Sequence, residues 1–175
     1  SQAVVSGLEK ITPVPGRLNP LPGIDSTIVL DDSDSASPAS MVAALQTLYS
    51  FEERPQLIAL LGSMDGLGAE SEVQHKEIGK LCNPNKLSWV VTVGDDANRY
   101  LAPTAKLRGN QVKTCATAIE AAEFVRSVTE AGAVILVKGA RDGIYLEEAV
   151  KDLCALSVFD QLVRQSDEWR VFPQH

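Results

Sequence analysis

The sequence predicts a domain of the α/β class, and two features predict it. Short apolar runs recur along the chain, each followed by a turn of Gly, Asp or Ser, and between them lie segments whose apolar residues keep helical spacing. Strands and helices that alternate in this way build a mostly parallel sheet with helices packed on both faces.

The elements can be justified in chain order. Thr27 to Leu30 is a mainly β-branched and aliphatic run, as suits a strand buried on both faces, and it ends at Asp31-Asp32. Ser37 is placed to cap the next helix and Pro38 suits its first turn, while Met41, Ala44, Leu45 and Leu48 form its apolar stripe. Gln56 to Leu61 reads as a second buried strand, stopped by Gly62 in the turn Gly62 to Gly68, and a helix from Glu70 to Cys82 follows. Ser88 to Val93 is a third strand, ended by Gly94-Asp95-Asp96 and followed by a short helix over Ala97 to Leu101. A weaker strand is placed at Gln111 to Thr114. Thr117 and Glu120 have capping-box spacing, and Ile119, Ala122, Phe124, Val125 and Val128 carry a helix to Glu130. Ala133 to Val137 is the last clear strand; it runs into Lys138-Gly139-Ala140-Arg141, and a helix over Leu146 to Leu156 follows.

This pattern is a Rossmann-like domain with about six strands. Right-handed crossovers put the strand-ending turns on one edge, so Asp31/Asp32, Gly62 to Gly68, Gly94 to Asp96 and Lys138 to Arg141 should face a common cleft. The domain proper is assigned to residues 26–156. Residues 1–25 hold four prolines and read as an interdomain linker or hinge with a first edge segment, rather than core. Residues 157–175 form a C-terminal tail, an edge strand or docking segment with Trp169, Val171 and Phe172 among charges.

At 175 residues, 45% apolar and 22% charged, the chain suits one compact domain with a full core. A net charge of −7 without a basic cluster argues against nucleic acid as a partner and leaves small molecules or proteins. Cys82, Cys115 and Cys154 are widely spaced, odd in number and set among apolar residues; they read as reduced core thiols of a cytoplasmic protein, not as a zinc site. No run approaches a membrane span, and the first residues do not read as a charged-then-apolar leader, so none is expected before the fold.

The residues at the strand ends bear the chemistry. Asp31 and Asp32 beside a helix amino end fit a metal-bound anion or a ribose hydroxyl, and equally a solvated, capped loop. A phosphate loop, a dinucleotide-binding glycine fingerprint and a nucleophile elbow are all missing, which disfavours a stand-alone kinase, dehydrogenase or hydrolase. Arg17 offers fixed donors to anionic oxygens, or a hinge salt bridge. Lys138 fits a carboxylate or phosphate ligand, or an internal ion pair with Asp31 or Asp32. His75 lies near the apolar side of its helix, where a hydrogen-bonded packing role competes with a catalytic one.

Five blocks then fall into one order: Pro15-Gly16-Arg17; Asp31-Asp32-Ser33 with Ser37-Pro38 and Ser40-Met41; Leu61-Gly62-Ser63-Met64 with Leu67-Gly68; His75 with Gly79; and Val137-Lys138-Gly139-Ala140-Arg141. In order and spacing the chain resembles the carboxy-terminal domain of Mur ligases across residues 13–155, most of its length. Within that family it looks most like the branch that adds D-alanyl-D-alanine; an amino-acid-adding branch and a ligase-like binding module that has lost catalysis are the alternatives. Asp31/Asp32, Asp95/Asp96 and Lys138 also imitate a phosphoacceptor receiver domain, but Gly94 intervenes before the second acidic pair and Gly139 stands where such domains place Pro.

The resemblance implies a three-domain, ATP-dependent and Mg2+-dependent cytoplasmic ligase of peptidoglycan precursor synthesis. Its partners would be ATP, a UDP-N-acetylmuramoyl peptide and D-alanyl-D-alanine, met through domains absent from this chain. This domain would serve as a lid, without catalytic residues, without a tightly bound cofactor and without turnover alone. Arg17, Asp31, Asp32 and Ser33 would serve the nucleotide, and Lys138, Arg141 and His75 the substrate. Two blocks depart from the family pattern: in the first, Asp34-Ser35-Ala36-Ser37 replaces Tyr-Asn-Ala-Asn and Ala39 replaces an Asp; in the second, Ser63 and Gly66 replace acidic residues.

Overall fold

The computed structural model describes residues 15–141 and 143–155. Six strands form one sheet: β1 (Asn19–Pro22), β2 (Ile28–Asp32), β3 (Leu57–Gly62), β4 (Trp89–Val93), β5 (Val112–Cys115) and β6 (Val134–Lys138). Their order is β1-β2-β6-β3-β4-β5, with every pairing parallel except β1 with β2. The helices are α1 (Pro38–Tyr49), α2 (Ser71–Leu81), α3 (Ala102–Leu107), α4 (Ala118–Val128) and α5 (Glu147–Leu153).

Each strand predicted from the apolar runs is present, because β2, β3 and β6 lie between helices on both faces and need apolar side chains at every position. One core layer joins α1, α2 and α3 to the sheet through Met41, Leu45, Leu48, Ile78, Leu101 and Ala105. The other joins α4 and α5 through Ala121, Ala122, Val125, Leu146, Val150 and Leu153. Trp89 closes the rim of this second layer, with its ring edge-on to Phe124 at 4.9 Å between centroids.

Local signals also work as predicted, with small changes. Ser37 accepts from the Ser40 N–H and forms a capping box with Ser40. Thr117 accepts from the Glu120 N–H, but the Glu120 carboxylate reaches past the cap to the Ala116 N–H at 2.8 Å and pairs with Lys113. Those two bonds hold its carboxyl below the ordinary range.

The structure departs from the sequence reading in three places. The first edge segment expected within residues 1–25 is the antiparallel strand Asn19–Pro22, but it is not outside the core, because Leu21 is buried in it. Pro20 and Pro22 are tolerated because an edge strand leaves half of its N–H groups without a ladder partner. The short helix at Ala97–Leu101 is a π-turn that continues into α3. Pro103 has no N–H for the carbonyl one turn back, and the backbone widens ahead of it. Finally, α5 stops at Leu153, where Cys154 bridges to Gly23; residues 156–175, including the predicted tail, lie outside the described residues.

All three thiols are buried. Loss of solvation pushes Cys82 and Cys154 up to about 12 and Cys115 up to about 11, so the thiolate is scarce at neutral pH. A maleimide should therefore label the native chain slowly and take all three cysteines at once in denaturant; rapid native labelling of any one would contradict this packing.

Candidate functional site

The site is built where β2, β6 and β3 end side by side. The register places Asp31 opposite Val137, Asp32 opposite Lys138, and Leu61 opposite the same Lys138. The turns beyond β3 and β6 then touch through glycine. A Cβ on Gly62 would stand 3.0 Å from the Gly139 Cα, and one on Gly139 would stand 2.5 Å from Leu146 Cδ1. The two glycines of the Leu-Gly and Lys-Gly blocks thus allow these loops to converge, and the Ala140 N–H donates to the Ser63 carbonyl at 3.0 Å.

The acidic pair grips the loop that carries Arg17. Asp31 is fully enclosed; one of its oxygens accepts from the Gly16 N–H at 3.1 Å, the other from the Ser33 N–H at 3.2 Å and the Ser33 hydroxyl at 2.6 Å. Asp32 accepts from the Leu18 N–H at 3.1 Å. Gly16 turns the chain with φ +69°, a conformation that favours glycine, and its carbonyl accepts from the Asp34 N–H. Arg17 is therefore presented by a turn fixed on both sides.

Burial raises the Asp31 carboxyl above its ordinary value of 3.8, against the lowering pull of the Ser33 and Gly16 bonds. A native pKa above the unfolded one means that the stability linked to the protonated form is present below the unfolded value and is lost as pH rises through the native one. Asp31→Asn does not titrate, and it turns an NH2 group towards one of the N–H donors. The wild-type advantage over this variant should be largest in acid and shrink towards neutrality; urea unfolding at about pH 4 and about pH 7 checks the sign.

Lys138 is enclosed rather than presented. Its Nζ pairs with Asp32 at 2.8 Å and donates to the Ser35 carbonyl at 2.8 Å, with 1% of the side chain exposed. Of the two roles open in the sequence, the internal ion pair is the one formed here. It ties β6 to β2 and to the start of the altered block.

Asp34 is the centre of the open part of the site. One carboxylate oxygen accepts from Arg141 Nε at 3.0 Å and Nη2 at 2.6 Å, and the other pairs with Arg17 Nη2 at 2.8 Å. Arg17 also donates to the Ser35 hydroxyl at 3.0 Å. Both arginine side chains are more than half exposed, while that of Asp34 is 8% exposed. An open cleft of about 380 Å³ is lined by Arg17, Asp34, Ser35, Ala36, Asp65, Ala140 and Arg141. A smaller hollow of about 130 Å³, between Ile24, Thr27, Arg126 and Leu153, brings together none of the residues singled out in the sequence.

His75 does not reach the cleft. It is wholly buried; its Nε2 accepts from the Met64 N–H at 2.9 Å, and its Nδ1 faces the Ser71 carbonyl at 2.8 Å. These contacts define the tautomer with the proton on Nδ1. The Ser71 hydroxyl lies 3.1 Å from Nδ1 and donates to Asp96, but a protonated Nδ1 has no lone pair with which to activate it. The histidine fastens the Gly62 to Gly68 turn to the start of α2. Gly94 to Asp96, expected on the common cleft, do not line it; the turn is tied to its neighbour instead, through the Ala97 N–H donating to Ser63 Oγ at 3.0 Å.

The cleft brings Arg141, expected there, together with Arg17, expected at the hinge, and Asp34, to which the sequence reading gives no role, unites them. The signal that could have found it is a third carboxylate in an acidic run lying between two motif arginines. Ser63 was missed in the same way; it joins the turns after β3, β4 and β6.

The fold and site define a mostly parallel α/β domain whose strand ends present paired arginines beside a clamped Pro-Gly-Arg turn. A family model described as "Mur ligase, glutamate ligase domain" matches residues 16–141. The chain belongs to the Mur ligase family, as its C-terminal domain. It is 32% identical over 151 residues to the UDP-N-acetylmuramoyl-tripeptide–D-alanyl-D-alanine ligase of Escherichia coli, covering 86% of this chain and 32% of the relative. To the Bacillus subtilis enzyme of the same name it is 35% identical, covering 71% and 27%. A crystal structure of MurF from Acinetobacter baumannii superposes with a TM-score of 0.72 at 28% identity, over 87% of this chain and 33% of that one. MurF from Thermotoga maritima in complex with ADP shares the fold, with a TM-score of 0.66 at 21% identity, over 86% and 35%. The chain spans about a third of the length of these relatives.

Proposed function

We propose that this chain is the closing domain of an ATP-dependent ligase that adds D-alanyl-D-alanine to a UDP-N-acetylmuramoyl tripeptide in the cytoplasm. The observation that carries the reading is the pair of half-exposed arginines set over one cleft at the carboxyl ends of the strands. Guanidinium groups so placed suit the phosphates of a nucleotide or the carboxylate of a dipeptide. Arg17 and Arg141 together meet one anionic group, a phosphate of the nucleotide or the carboxylate of the incoming dipeptide. Asp31, Asp32 and Ser33 act on that group indirectly, by fixing the turn that carries Arg17; Lys138 and His75 act on substrate by positioning the loops around the cleft.

Among the described residues, no group of three or more His, Cys, Asp or Glu side chains is arranged to hold a metal ion. The magnesium that assists phosphate transfer is assigned, on the family resemblance alone, to the rest of the enzyme. The relatives' names support the dipeptide as the amine donor, while the altered block Asp34 to Ser37 favours a second reading, a binding module without catalysis. One assay separates the two. The complete parent enzyme should release phosphate from ATP only when tripeptide precursor and D-alanyl-D-alanine are both present, and the 175-residue chain should release none. Turnover by the chain alone would overturn the lid reading, and a silent parent enzyme would favour the module.

A further inference from the structure

We infer that Arg17 and Arg141 form a single oxyanion-binding site and that Asp34 is its built-in occupant, a carboxylate that an incoming phosphate or carboxylate group must displace. This rests on the reading of the cleft as ligand-facing and adds to it a determinant carried by this chain's own altered block. The geometry of the occupant defines the ligand. Asp34 bridges two guanidinium groups, taking two donors of Arg141 on one oxygen and one of Arg17 on the other. A phosphate or terminal carboxylate has the charge and the oxygen spacing to make the same contacts.

The backbone of Asp34 is held independently of its side chain, by the N–H donated to Gly16, so the carboxylate can swing away without unfolding the loop. Its departure removes a negative charge from between two positive ones, and Asp65 remains as the other acid on the cleft wall. An entering anion therefore competes with Asp34, and affinity is held below what the arginines alone would give.

The test measures binding to the 175-residue chain at low ionic strength by calorimetry, with inorganic pyrophosphate in one arm and D-alanyl-D-alanine in the other. Asp34→Asn should tighten binding about tenfold in at least one arm, the size expected when a close charge on a half-exposed site is removed. Adding Arg17→Ala or Arg141→Ala should abolish the gain. The arm that responds tells a phosphate site from a carboxylate site. Equal or weaker binding to Asp34→Asn, with binding still dependent on the arginines, would overturn the competitor role and leave the ligand-facing reading intact. Absence of binding to every variant in both arms would overturn the anion site, while the lid reading is tested separately by phosphate release from the complete enzyme. Should the variant fold poorly, the wild-type chain supplies the second measurement: pyrophosphate or dipeptide should shift the carboxyl carbon resonance of Asp34. A resonance unmoved at saturation by both ligands would refute displacement.

Discussion

Asp32→Ala should lower the folding free energy by about 3–5 kcal/mol, because it strands the Lys138 ammonium in the interior without its counter-charge. Lys138 is 1% exposed, lies between β2 and β3 in the sheet, and keeps only the Ser35 carbonyl once Asp32 is removed. Asp32→Ala also frees the Leu18 N–H that steadies the Arg17 turn, so stability and site geometry fall together. The pair itself need not be stabilising relative to apolar groups of similar size, since both charges have left water. The double variant Asp32→Ala with Lys138→Met should therefore recover most of the loss. Urea unfolding of the three proteins measures this, and a single variant within about 1 kcal/mol of wild type would show that Lys138 reaches solvent or another anion.

That ion pair also shows where the sequence stops being legible. The strands around Asp31, Leu61 and Lys138 can be read because residues buried on both faces leave uninterrupted apolar runs, and the glycine-rich turns mark their ends. Strand order cannot be read in the same way. Nothing local to Asp32 says that β6 lies beside it, yet that adjacency puts Lys138 against Asp32 and away from the cleft. Asp34 poses the same difficulty, since its partners lie 17 residues before it and 107 after it. His75 was legible as a helix residue near the apolar side, but its hydrogen bond to Met64 depends on how the preceding turn folds back. An edge segment before residue 25 is legible, but the prolines of β1 argue against a strand unless it is known to sit at an edge, and its bounds and the burial of Leu21 follow only from its pairing with β2.

Gly139→Ala should cost about 1–3 kcal/mol, as an overpacked core position does, and should loosen the arginine clamp as well. The new methyl would lie 2.5 Å from Leu146 Cδ1 and 3.1 Å from the Gly62 Cα. Leu146 is wholly buried at the start of α5, so its Cδ1 must turn aside within a packed core. Gly62 offers no side chain to move, and its loop is already tied to the β6 turn through the Ala140 N–H. The easier relief is for the Gly139 to Arg141 turn to shift outward, which draws Arg141 off Asp34. Leu146→Ala placed in the Gly139→Ala background should restore part of the stability, since one of the two clashes disappears, though the cavity it opens limits the gain. If the main effect is displacement of the turn, Gly139→Ala will weaken anion binding through Arg141 even at temperatures where it is fully folded. Unchanged stability and unchanged binding together would mean that the two glycine turns have more slack than their contact implies.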